Sequence, residues 1–173
     1  MATTFTLIKT YSLTSAQSSI DFTSIPSTYT DLCLKLSLRT DRTSTTSDII
    51  LQFNGDNSAA YSFRRLYGTG ASTGSDNLSA GANNGLSGFA DGASATTSTF
   101  GNTEIYIPNY AGSTQKSWSS DGVNENNSST AYAGIYASLY TGTTAINQIT
   151  IKDYNSANFV TYSTASLYGI KKF

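Results

Sequence analysis

Histidine is absent from this 173-residue chain, and cysteine occurs only once. Without an imidazole there is no Ser-His-Asp triad, no Cys-His dyad and no histidine ligand for a metal. The lone Cys33 has no partner for an internal disulfide, which is typical of a chain folded in a reducing cytosol. It lies between Leu32 and Leu34, so we predict a buried or half-buried packing residue.

Charge is also scarce, at 12% of residues, and ten basic side chains face eleven acidic ones. DNA binding needs a basic stripe that displaces counterions, and none is visible, so we expect no nucleic-acid partner. The densest basic pairs, Arg64 with Arg65 and Lys171 with Lys172, are predicted to be solvated charges. The Ser-, Thr-, Asn- and Tyr-rich surface that remains favours contact with other proteins or with sugars, because little charge has to be desolvated.

The chain contains no apolar run long enough to span a membrane and no secretory signal at its N-terminus. We therefore expect a protein made in the cytoplasm, not exported by the usual route, and without a membrane partner. The acidic residues are scattered, and the two glutamates, Glu104 and Glu125, both flank turns. A glycosidase needs two carboxylates across a cleft, so the sequence predicts no enzyme, no catalytic residue, no metal site and no cofactor.

What the chain does contain is alternation of residue types with a period of two, which indicates β-strands. In the segment 130–140, Tyr132, Tyr136 and Tyr140 share one parity, and small or aliphatic residues share the other. In the segment 29–39, four leucines share one parity and predict a core-facing row; they are Leu32, Leu34, Leu36 and Leu38. We predict one domain over 1–173, an antiparallel jelly-roll β-sandwich of about eight to ten strands, with an up-and-down barrel as the alternative.

The segment 68–98 differs, because seven glycines alternate there with Ser, Ala, Asn and Thr. We predict a long loop or arm with one short strand near 86–90. Only Leu78, Leu86 and Phe89 could anchor it. Two interpretations stay open: an arm that orders against a neighbouring protein, or a mobile surface loop.

The candidate contact surface combines those three anchors with the aromatic residues of two strands: Tyr132, Tyr136, Tyr140 and Trp118. Tyrosine and tryptophan give much contact area for little lost side-chain freedom. The same rings could instead close the second face of the sandwich, and Trp118 could be a core residue. The oxygen-rich loop 121–127 could hold calcium, but its spacing lacks the EF-hand order, and a solvated turn is favoured.

Several phrases, spread over nearly the whole chain, carry a resemblance to a known family. They are Ile25-Pro-Ser-Thr-Tyr-Thr-Asp-Leu32, Phe53-Asn-Gly-Asp56 leading to Tyr61-Ser-Phe-Arg-Arg-Leu66, Ile105-Tyr-Ile-Pro-Asn-Tyr110 and Ala165-Ser-Leu-Tyr-Gly-Ile170. The chain resembles small virion structural proteins and appendage domains of tailed bacteriophages, especially cyanophages and other marine phages. The resemblance implies a component of the virion and supplies no catalytic residues.

Two functions follow as expectations. The first is a capsid decoration or cement protein that stabilises the assembled shell, with the major capsid protein or other virion proteins as partners. Such a protein would be a homo-oligomer, with a trimer as one plausible state. The second is a tail, fibre or spike component that binds a host surface glycan or docks another tail protein.

Overall fold

The computed structural model describes residues 4–171, and every regular element among them is a β-strand. Within this range no helix could cross a membrane. The twelve strands are β1 (Phe5–Ser12), β2 (Ile20–Phe22), β3 (Asp31–Leu38), β4 (Thr46–Phe53), β5 (Tyr61–Gly68), β6 (Thr73–Ala82), β7 (Gly85–Asp91), β8 (Gly101–Ile107), β9 (Lys116–Val123), β10 (Ala133–Tyr140), β11 (Ile149–Asp153) and β12 (Thr164–Ile170).

The strands form two antiparallel sheets that pack against each other, which confirms the predicted β-sandwich. The large sheet has eight strands in the order β1-β12-β3-β8-β9-β10-β5-β6. The small sheet has four, in the order β2-β11-β4-β7. Twelve strands in the described range exceed the predicted eight to ten, chiefly because the glycine-rich segment is not a loop.

Eight of the strands pair in a nested order. β1 pairs with β12, β2 with β11, β3 with β8 and β4 with β7, so each pair encloses the next one along the chain. We call these the framework strands. The other four, which we call the added strands, lie side by side as β9-β10-β5-β6 and extend the large sheet beyond β8.

The main core lies between the facing surfaces of the two sheets. The leucine row of β3 is buried there, as its alternation predicted, with exposed fractions of 0 to 3% at Leu32, Leu34, Leu36 and Leu38. Ile49, Leu51 and Phe53 of β4 face this row from the small sheet and are fully buried. Strands β8 and β9 alternate between buried and exposed residues because every second side chain enters the space between the sheets.

A second, smaller core exists because the large sheet curls around strand β7, the edge of the small sheet. Its buried members come from both sheets: Ile50, Leu86, Phe89 and Tyr136. Phe89 stacks on Tyr132 at 5.0 Å between ring centroids. As a result, β7 is covered on both faces, and all seven of its residues are buried.

The prediction that 68–98 is a loop or arm is therefore wrong chiefly where strand β6 lies, over 73–82. Strands β6 and β7 occupy 73–82 and 85–91, and only the expected short strand at 86–90 is confirmed. The connection after β7 is held by Arg39, whose guanidinium donates hydrogen bonds to the carbonyls of Thr96 at 2.9 Å and Thr99 at 3.0 Å.

The glycines of β7 are required by close packing between the sheets and do not mark a loop. A Cβ placed on Gly85 would lie 2.1 Å from the indole ring of Trp118. A Cβ on Gly88 would lie 2.4 Å from the hydroxyl of Thr103. Any side chain at either position would push the sheets apart, because real Cβ atoms do not approach heavy atoms this closely.

We predict that Gly85→Ala lowers the free energy of unfolding by about 1–3 kcal/mol, because the added methyl overpacks the core against Trp118. Gly68→Ala is the matched control, since the nearest atom to its Cβ would be 3.8 Å away. The control should change stability by less than about 0.5 kcal/mol. Urea unfolding of both variants measures the difference, and equal midpoints would contradict the packing argument.

Candidate binding surfaces

Most of the predicted contact residues do not lie on the surface. Five of the seven are buried, with exposed fractions of 2 to 5%: Leu86, Phe89, Trp118, Tyr136 and Tyr140. The predicted contact surface is wrong for these residues, because their side chains lie on the side of each strand that faces the cores. Of the other two, Tyr132 is half-buried against Phe89, and Leu78 is 41% exposed.

The buried aromatic residues have structural roles. The indole nitrogen of Trp118 donates a hydrogen bond to the hydroxyl of Ser87 at 3.0 Å, and its ring packs edge-on against Phe53 at 4.9 Å. The hydroxyl of Tyr140 donates to Asp56 at 2.9 Å. These hydrogen bonds satisfy the polar ends of large rings in an apolar core, as buried Trp and Tyr require.

The exposed apolar surface lies on the opposite parity of the same strands. Six of the nine exposed large apolar side chains among the described residues sit on the outer face of the large sheet: Phe5, Leu7, Leu66, Tyr106, Val123 and Ile135. In segment 130–140, the alternating positions that hold alanine, isoleucine and leucine were the sequence signal for this exposed face. The tyrosines at the other positions were predicted to be the exposed ones instead.

Three of the added strands carry a cluster of aliphatic residues on the half of this face that lies beyond β8. We call this cluster the outer patch: Leu66, Val123, Ala133, Ile135 and Ala137. Ile135 lies directly opposite Leu66 on β5, and Ala133 lies opposite Val123 on β9. Ile135 and Leu66 are 59% and 58% exposed. A shallow depression of about 790 Å³ lies over four members of the patch, all except Ala137. Asp121, which lies opposite Ile135 on β9, also lines this depression, so the patch is apolar around one carboxylate. An exposed apolar patch is a candidate interaction site.

Charge on the outer face is sparse and partly paired. Lys35 and Glu104 form an ion pair at 2.8 Å. Cys33 lies between Tyr106 and Tyr168 on neighbouring strands and is 1% exposed, which confirms the packing role predicted for it. Burial raises the pKa of the Cys33 thiol to about 11, so the thiolate is scarce at neutral pH.

The two neighbouring arginines of β5 differ sharply. Arg64 is exposed on the outer face, as predicted, but Arg65 points to the inner side and is not a solvated charge. Its guanidinium binds Asp76 through two hydrogen bonds of 2.5 and 2.9 Å and Asp48 through a third of 2.8 Å. Burial raises the pKa of Asp48, and the adjacent Arg65 opposes that rise.

This ion-pair group borders a cleft of about 510 Å³ between the β5–β6 hairpin and the small sheet. We call it the hairpin cleft. The lining residues on which its chemistry depends are Asp48, Arg65, Asn83, Asn84 and Tyr154. Tyr154 is 60% exposed, and its backbone N–H donates to the carbonyl of Asp48 at 2.9 Å. The cleft thus combines side-chain amides, a guanidinium that is already paired with carboxylates, and one solvent-exposed aromatic ring.

Two asparagines of the loop 121–127 have structural roles. Asn124 and Asn126 are both 1% exposed, so the expected solvated turn is wrong for these two positions. The side-chain oxygen of Asn124 accepts the backbone N–H of Tyr132 at 2.7 Å. The side-chain amide of Asn126 donates to the backbone carbonyl of Thr45 at 3.0 Å and to the carboxylate of Asp91 at 3.2 Å. Residues 4–171 hold no group of three or more Cys, Asp or Glu side chains placed to bind a metal ion.

Two of the phrases that carry the phage resemblance meet in the structure. Asp31, 3% exposed, accepts the Tyr106 hydroxyl at 2.8 Å and the Asn109 N–H at 2.9 Å. The Tyr110 hydroxyl donates to the carbonyl of Pro26. These contacts tie the approach to β3 to the turn after β8, so residues of the two phrases stabilise the framework.

In comparisons with known proteins, no family model matches this chain and no curated protein matches it.

We predict that Arg65→Ala lowers the free energy of unfolding by about 1–3 kcal/mol, because it leaves the half-buried carboxylate of Asp48 without its cation. The loss is smaller than for a fully buried ion pair, because solvent screens part of the interaction. Arg64→Ala, one residue away and exposed, is the control and should stay within about 0.5 kcal/mol of wild type. Thermal or urea unfolding at neutral pH measures both. Equal losses in the two variants would show that the ion-pair group does not hold the hairpin in place.

Proposed function

We propose that this chain is a phage virion structural protein, a capsid decoration protein that stabilises the assembled shell through surface contacts. The observation that carries the proposal is the outer patch, an exposed aliphatic surface on one half of a broad and weakly charged sheet face. Such a face favours extended contact with another protein, because little charge has to be desolvated when it is covered.

The size of the outer face supports this role. Eight strands at the usual spacing and about seven residues of length give a face of roughly 35 by 23 Å, or about 800 Å². A standard protein–protein interface buries about 800 Å² on each partner. One outer face is therefore large enough for a stable contact with a capsomer or with a second copy of the chain.

The strand order also supports a virion role. We infer that the framework strands form a jelly roll, because nested pairing of eight strands across two sheets is the pattern of one long hairpin wrapped around a core. Jelly rolls are common in viral capsid proteins and in lectins. Fold alone does not assign a function, so this point adds to the outer patch and to the phage-like phrases without replacing them.

The test uses phage particles that lack the protein. Wild-type protein added back should bind the heads in hundreds of copies and restore their resistance to heat and osmotic shock. Ile135→Asp should weaken binding by roughly a hundredfold or more, because a carboxylate would be buried in an apolar contact. Copy number by stained gel and release of DNA on heating are the measurements.

Tyr162→Asp is the matched control, because Tyr162 is 77% exposed and belongs to the turn before β12, away from the outer patch. It should bind the heads like the wild-type protein. Deficient particles that resist heat as well as complete ones, or only a few copies located on the tail, would overturn the proposal. Undiminished binding by Ile135→Asp would show that the outer patch is not the contact.

A further inference from the structure

The hairpin cleft lies on the other side of the β5 strand from the outer patch, so it stays open when the outer face is covered. Its floor is apolar, from Phe63 and Leu86, and its wall is the end of β6 with the turn that follows it. A volume of about 510 Å³ is in the range of small-molecule sites. The mixture of an apolar floor and convergent polar groups is also typical of such sites.

The amides that line the cleft have unused hydrogen-bonding capacity. The side chains of Asn83 and Asn84 make no hydrogen bond to any described residue. A primary amide offers two donors and one acceptor, and a sugar hydroxyl both donates and accepts. Two such groups side by side in the turn after β6 therefore suit a ligand that presents several hydroxyls.

The charges of the cleft disfavour an anionic ligand. Arg65 is the only basic residue that lines it, and its guanidinium is already bound by Asp48 and Asp76. This group carries one positive and two negative formal charges, so it offers no free cation to a phosphate, sulfate or carboxylate. The ligand that fits is neutral.

Tyr154 supplies a stacking surface at the mouth of the cleft. Its ring is 60% exposed although its backbone is fixed. The carboxylate of Asp153 accepts the N–H groups of Asn155 at 2.8 Å and Ala157 at 3.0 Å, which holds the turn. An aromatic ring held in this way can stack on the flat apolar face of a pyranose at low entropic cost.

We propose that the hairpin cleft is a binding site for a neutral saccharide, which stacks on Tyr154 and donates and accepts hydrogen bonds with Asn83 and Asn84. The site is separate from the outer patch, and it does not depend on where the chain lies in a virion. A decoration protein with this cleft would hold the shell with one face and bind polysaccharide with another.

The test uses the purified wild-type chain on an array of neutral and anionic glycans. The strongest neutral hit is then titrated by calorimetry beside its sialylated or sulfated counterpart. We expect neutral glycans to bind and the charged counterparts to bind more weakly. An array without a neutral hit, or tighter binding of the anionic partner, would overturn the proposal.

Variants locate the site. Tyr154→Ala should raise the Kd of the neutral hit at least about tenfold, whereas Tyr154→Phe should keep the wild-type value, because the ring and not the hydroxyl makes the contact. Tyr162→Ala, an exposed tyrosine outside the cleft, is the control and should bind normally. Urea midpoints like that of the wild type confirm that the variants are folded. Normal binding by Tyr154→Ala, or equal loss in the control, would place any saccharide site elsewhere.

Discussion

The two-sided burial of β7 is the constraint on which the rest of the structure depends. This strand is the edge of the small sheet, yet all seven of its residues are buried because the large sheet curls around it. The curl requires side chains of the large sheet to pack directly against the backbone of β7, and Gly85 and Gly88 leave room there for Trp118 and Thr103. It covers an edge that would otherwise present unpaired backbone groups to other chains. It also brings β5 over the outer side of β4, where Arg65 meets Asp48.

The sequence predicts this fold well where a residue pattern has one structural meaning and poorly where it has two. Alternation over residues 31–38 reports burial on one face, and the leucine row is buried as that pattern requires. Glycine is ambiguous, because it can signal a flexible loop or a position where another group packs closely against the backbone. In 85–91 it signals the second, and only the distances to the side chains of Trp118 and Thr103 in the folded structure distinguish the two. The loop predicted for 73–82 was wrong for the same reason, because a Cβ on Gly74 of β6 would lie 2.5 Å from the ring of Tyr67.

The candidate surfaces were harder to predict, since alternation separates two faces without showing which one is inside. In β10 the tyrosine parity faces the cores and the Ile135 parity faces solvent. Tyrosines are common at interfaces, but these close aromatic clusters around Phe53 and Phe89. The hairpin cleft joins residues as distant as Asp48, Asn84 and Tyr154, whose proximity follows from the curl of the large sheet and from no local spacing. Tyr154 is a single aromatic residue in a turn, and no neighbouring residue in the sequence indicates that it lines a cleft.

Both candidate surfaces depend on the added strands. Every member of the outer patch belongs to β5, β9 or β10, and the β5–β6 hairpin forms one side of the cleft. The nested framework contributes Asp48, Leu86 and, in the turn after β11, Tyr154 to the cleft, and the outer patch lies wholly on the added strands. Descendants of a common ancestor could exchange these hairpins while keeping the four nested pairs. Specificity would then diverge faster than architecture, and two proteins with the same framework could serve different partners.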